Sequence, residues 1–244
     1  ENLRKEFISK QRKIKKNGKK SLFAKEKKII DTINPIIQGK KTLIFDVDGT
    51  LLDSMPMWAR LDIDYLEGMG YHPEPDFCTK VKMMTISDAS IFIRDYFGVS
   101  KSPEQITEEI MNMACSHYEN DLILKPGAAE LVKTLKAMGY HIVVATANEY
   151  DMVKKCLERN GIMQYMDGLV TCTMVGSSKQ KPDVYFKACE ITGATVEESV
   201  VFEDSSFAIN TAINAGFDVV GVYDATEEDK WDLICKSTKC QVVF

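Results

Sequence analysis

Apolar positions along the chain change their period three times. Ahead of residue 42, Leu22, Ile29, Ile30 and Ile33 are spaced for one face of a helix, and Pro35 is expected to end it. Residues 42–47 (TLIFDV) then form a short continuous apolar run into Asp48-Gly49, the pattern of a buried strand closed by a turn. From 53 to about 123 the spacing is helical. Trp58, Leu61, Tyr65, Leu66 and Met69 make one stripe ended by Gly70. Further helices are expected over 86–96 and 106–118, the latter opened by Ser102-Pro103, an N-cap followed by a first-turn proline.

After Pro126-Gly127 helix and strand alternate. The pattern predicts helices over 128–138, 149–159, 182–192 and 205–215, and strands over 140–145, 168–172, 199–202 and 218–222. Continuous apolar strands separated by helices specify a parallel sheet covered on both faces. The expected fold is therefore α/β, a three-layer core with a Rossmann-like parallel sheet. An all-helical domain at 53–123 is inserted between the first strand, in 42–52, and the remainder, 124–244. Residues 1–41 form a separate basic segment, expected to be helical.

Charge divides the chain in the same place. Residues 1–41 hold 14 Lys+Arg and four acids, a net of +10, which leaves −15 for 42–244 out of the total of −5. A body this acidic repels nucleic acid, so none is expected for the core, and any phosphate chemistry must bring its own cation. The basic segment, with KKNGKK at 15–20, reads as a solvated appendage, a partner or membrane-surface contact, or a nucleic-acid arm. The seven cysteines are widely spaced with no CxxC pair, which argues against a zinc finger or disulfide framework and suggests reduced thiols in the cytoplasm. No run is long and apolar enough for a membrane span, and no secretory signal pattern is found.

Ligands of such sheets bind beyond the carboxyl ends of the strands. Those ends carry Asp46-Val47-Asp48-Gly49-Thr50, Thr146-Ala147-Asn148 and Glu203-Asp204-Ser205, and Lys181-Pro182 opens the helix before the fourth strand. Each group has an ordinary explanation: a strand exit, a helix cap, a solvated lysine, acids at a helix N-terminus. A calcium loop is excluded, because its glycine belongs at position six and its glutamate at twelve, where this chain has Met57. Two carboxylates one residue apart at a strand end suit a nucleophile beside an acid/base. Four such groups at four strand exits are not a coincidence of turn chemistry.

In order and spacing these four motifs resemble the haloacid dehalogenase-like hydrolase superfamily, and the inserted helices resemble the helical cap of its branch containing phosphoglycolate phosphatase and β-phosphoglucomutase. The resemblance covers about 42–222. It implies a phosphatase acting on a small phosphorylated metabolite, with Asp46 as nucleophile and Asp48 as acid/base. It implies Mg²⁺ held by Asp46, the Asp48 backbone carbonyl, Asp204 and Glu203, and a phosphate held by Thr146, Ala147, Asn148 and Lys181. The helical cap is expected to close over the substrate. A sugar phosphomutase is the alternative, although the histidine and arginine that mutases carry in the cap fall at Trp58 and Ile86, with His72 and Lys82 nearby. A third expectation is an interaction protein acting through its basic segment.

Overall fold

The computed structural model describes residues 26–74, 77–81 and 84–244, without the side chains of Cys78 and Thr79. KKNGKK, Leu22, Lys82 and the first 25 residues lie outside the described residues. The chain divides into two compact units, Asp53–Ile123 and the remainder.

The larger unit is built on a six-stranded, all-parallel sheet of order β3-β2-β1-β4-β5-β6. Its strands are β1 (Thr42–Phe45), β2 (His141–Thr146), β3 (Gly168–Thr171), β4 (Ser199–Glu203), β5 (Asp218–Val222) and β6 (Cys240–Val242). Their apolar runs are continuous because both faces are covered. On one face Ile44, Val143, Val201 and Val219 pack with Val184, Tyr185 and Ala188 of α9 (Asp183–Thr192) and Ile209 and Ala212 of α10 (Ser206–Asn214). The alternating residues Leu43, Phe45, Ile142, Val144, Val200 and Phe202 are equally buried, and Phe45 stacks on Phe202 with ring centroids 4.2 Å apart. The two-residue period thus places Ile44 and Asp46 on the α9 face, together with Val201 and Glu203.

Helix α1, residues 26–37, differs from expectation in two ways. It continues through Pro35 instead of ending there, and it belongs to the core. Ile33 and Ile37 have no exposed surface, Ile29 and Ile36 are buried, and Glu26 accepts a hydrogen bond from Thr134 of α6 (Ala128–Ala137). Burying an isoleucine side chain is worth about 1.5–3 kcal/mol, so Ile36 and Ile37 offset much of the ~3 kcal/mol cost of an internal proline. The described part of the basic segment is therefore structural, and its lysines Lys40 and Lys41 pair with Asp218 and Glu198 at 2.7 and 2.5 Å.

The smaller unit contains α2 (Met55–Gly68), α3 (Phe77–Val81), α4 (Ile86–Phe97) and α5 (Pro103–Asn120). Leu61, Tyr65, Leu66, Ile93, Ile106 and Ile110 form its core, with Trp58 and Met69 packed against them. Ser102 and Gln105 close a capping box around Pro103 as the start of α5. In the larger unit α7 (Tyr150–Arg159) follows β2, α8 (Cys172–Val175) follows β3, and α11 (Trp231–Ser237) precedes β6. Cys172 opens α8 and does not belong to the strand before it. Cys172, Cys189, Cys235 and Cys240 are free thiols. No helix among the described residues is long and apolar enough to cross a membrane.

Candidate active site

The ladder of β1 runs one residue past the strand: Asp46 N–H donates to Phe202 O at 2.9 Å. The chain then turns sharply, with Leu51 and Leu52 N–H both donating to Val47 O at 2.8 Å. Gly49 has φ +80° there, a conformation that favours glycine. Asp46 and Glu203 are thus neighbours at the ends of adjacent strands and on the same face. Asp204 completes the group: ligand atoms of Asp46, Glu203 and Asp204 all lie within 4.8 Å of one another, and all three residues are buried.

The cation that reaches them is Lys179. Its ammonium is 5% exposed, donates to Asp46, and donates to Glu203 Oε2 at 2.7 Å. Lys181, the lysine singled out by its place before Pro182, is exposed. The correction has a local cause. Lys181 N–H donates to Ser178 O at 2.9 Å, so the chain turns between 178 and 181 and carries the two lysines in different directions. A K-P pair was the wrong mark; the useful one was the serine-rich turn ahead of α9 whose first lysine faces the strand ends.

Three further side chains fasten the group. Thr50 Oγ1 donates to Asp204 Oδ1 at 3.0 Å. Tyr185, wholly buried on α9 beneath Glu203, donates its hydroxyl to Glu203 Oε2 at 3.1 Å, and its ring lies 5.8 Å from the Lys179 ammonium. Asn148 Nδ2 donates to Asp48 Oδ2 at 2.6 Å. Thr50 stands in the Asp46–Thr50 motif, but no local pattern gives it Asp204 as partner, 154 residues away, and none marks Tyr185, whose partner Glu203 lies 18 residues away.

At the end of β2, Thr146 is fully buried and accepts from the Asn148 N–H at 3.1 Å. The Asn148 N–H thus donates within its own turn, to Thr146. Neither residue caps α7, whose N-cap is Glu149.

Electrostatics follow from the crowding. Burial, and then the Glu203 and Asp48 charges, push Asp46 up to about 7 despite the opposing Lys179. Burial, and then Glu203 and Asp46, raise Asp204 well above the usual carboxylate range. Burial acts to lower Lys179, but Asp46 and Glu203 more than offset it and hold the ammonium protonated. Formally, the three carboxylates and one ammonium carry a charge of −2, the complement of one divalent cation. An all-oxygen donor set suits a hard ion. The residues present therefore fit a hard divalent metal.

The model of the family described as haloacid dehalogenase-like hydrolase matches residues 43–222. Hexitol phosphatase B of Escherichia coli is 28% identical over 66% of this chain and 74% of its own length. Validoxylamine A 7'-phosphate phosphatase of Streptomyces hygroscopicus subsp. limoneus is 27% identical over 80% of this chain and 93% of its own length. Among solved structures, a β-phosphoglucomutase candidate from Thermotoga maritima superposes with a TM-score of 0.74 at 22% identity, covering 83% of this chain and 94% of that one. With a family match over nearly three quarters of its length and the motifs gathered at one edge of its sheet, the chain belongs to the haloacid dehalogenase-like hydrolases.

Proposed function

We propose that this hydrolase is a Mg²⁺-dependent phosphatase of a small phosphorylated metabolite, a sugar phosphate or similar, working through an aspartyl-phosphate on Asp46. The observation that carries the proposal is the buried group of Asp46, Lys179, Glu203 and Asp204, whose formal charge of −2 suits a divalent cation. The names of two relatives, a hexitol phosphatase and a validoxylamine A 7'-phosphate phosphatase, support the substrate class.

In the first step an Asp46 carboxylate oxygen bonds to phosphorus while the ester P–O bond breaks, and Asp48 gives its proton to the departing alkoxide. In the second, water attacks phosphorus, its proton passes to Asp48, and the bond to Asp46 breaks to release phosphate. Two like charges at 4 Å repel by about 4 kcal/mol at intermediate dielectric, so a carboxylate cannot approach a phosphate dianion unaided. Lys179 neutralises part of that charge. Asp46, Asp204 and the Asp48 backbone carbonyl, with Glu203 beside them, would hold Mg²⁺. That ion supplies positive charge at the phosphoryl oxygens. Thr146 Oγ1 already accepts from Asn148, which leaves its hydroxyl proton for a phosphoryl oxygen beside the Ala147 N–H.

The test is phosphate release from a panel of phosphorylated sugars and polyols, with Mg²⁺ and with a chelator. Release from at least one member, abolished by the chelator and restored by Mg²⁺, supports the proposal. Chelator-resistant release would remove the metal from it.

A further inference from the structure

The hydrogen bond from Asn148 Nδ2 to Asp48 Oδ2 joins two strand ends 100 residues apart in the chain. One of its partners is well braced. The Asn148 N–H is fixed on Thr146, which is itself fully buried at the end of β2. Asp48 instead stands half-buried on the turn through Gly49. A carboxyl on two rotatable bonds visits several rotamers unless something holds it. A hydrogen bond to the carboxyl is enough to select one.

We propose that Asn148 is a positioning residue for proton transfer at Asp48: its amide aims the carboxyl at the leaving-group oxygen in the first step and at the attacking water in the second. The proposal rests on the acid/base role given to Asp48 above. An amide suits the task, because it donates to a carboxyl oxygen in either protonation state and adds no charge beside the phosphate. It also gives the side chain of Asn148 a use distinct from its backbone, which serves Thr146.

The experiment compares wild type, D48N and N148A, each with Mg²⁺, on phosphate monoesters ranging from alkyl phosphates to dinitrophenyl phosphate. An alkoxide needs a proton to leave, and a dinitrophenolate does not. The quantity read is kcat/KM, which covers only the steps up to phosphoryl transfer to Asp46. Proton transfer contributes ~10²–10⁴-fold, so D48N should lose about that much on alkyl phosphates and little on dinitrophenyl phosphate. N148A should lose on the order of 10-fold or more of the same quantity on alkyl phosphates and stay within about 3-fold on dinitrophenyl phosphate. The double variant should fall no further than D48N. Should N148A fail to fold, N148S, polar but too short to reach Asp48, is read the same way. A steep leaving-group dependence in D48N with uniform loss, or no loss, in the Asn148 variants would overturn this inference alone. Uniform loss in D48N would remove the acid role of Asp48 and this inference with it.

Discussion

Replacing Lys179 by methionine changes the formal charge of the buried group from −2 to −3 and leaves Asp46 and Glu203 without the ammonium they share. Methionine fills most of the volume, so the cost is electrostatic. Removing one partner of a buried ion pair costs about 3–5 kcal/mol, because the other charge stays buried and unpaired. At ~2–4 °C per kcal/mol for a chain of this size, the metal-free melting temperature should fall by roughly 6–20 °C. Turnover should fall at least ~10²-fold, the scale on which a single preorganised donor acts in transition-state stabilisation. Lys181→Met is the internal control: the side chain is exposed, and such changes stay within about 0.5 kcal/mol. Thermal melts by circular dichroism in chelator, and Mg²⁺-dependent phosphate release, read both variants. Equal damage from Lys179→Met and Lys181→Met, or none from Lys179→Met, would refute the assignment.

Ile33→Ala should destabilise the protein by about 2–5 kcal/mol, read from denaturant midpoints, while Asn34→Ala one residue on stays near neutral. Removing residues 1–41, and with them the buried Ile33 and Ile37, should consequently lower the denaturant midpoint further. Without metal, Asp46 binds its proton more tightly folded than unfolded, so its contribution to stability falls as pH rises towards about 7 and is regained on acidification. Asp46→Asn should flatten that dependence in metal-free melts; an unchanged slope would show that Asp46 is not its source. With glucose 1-phosphate and a trace of the bisphosphate, phosphate release should outrun isomerisation to glucose 6-phosphate. Faster isomerisation would make the protein a mutase.

The strand ends were legible in the sequence because each is written locally. An unbroken apolar run such as TLIF must be covered on both faces, and the Asp-Gly that follows must be a turn. The inserted helices were equally plain, since their apolar stripes run at helical spacing for two turns or more. Legibility failed where long-range packing decides. Pro35 is a stop signal on any local account, yet α1 runs through it, with Ile36 and Ile37 both buried. Cys240–Val242 is too short to announce a strand; its pairing with β5 makes it one. Lys181 has the better local motif, but Lys179 has the carboxylates, and only the turn at 178–181 decides between them. The bonds of Thr50 to Asp204 and Asn148 to Asp48 depend on strand order, which no local pattern contains.

The central claim is that Asp46 becomes covalently phosphorylated. Wild-type protein with Mg²⁺ is mixed with substrate, quenched in acid within the first turnovers, digested, and its peptides weighed. The account predicts one added phosphoryl group on the peptide containing Asp46, labile to base or hydroxylamine as an acyl phosphate is, and absent in Asp46→Asn. Full turnover with no phosphoryl group on that peptide, or retained activity in Asp46→Asn, would contradict it.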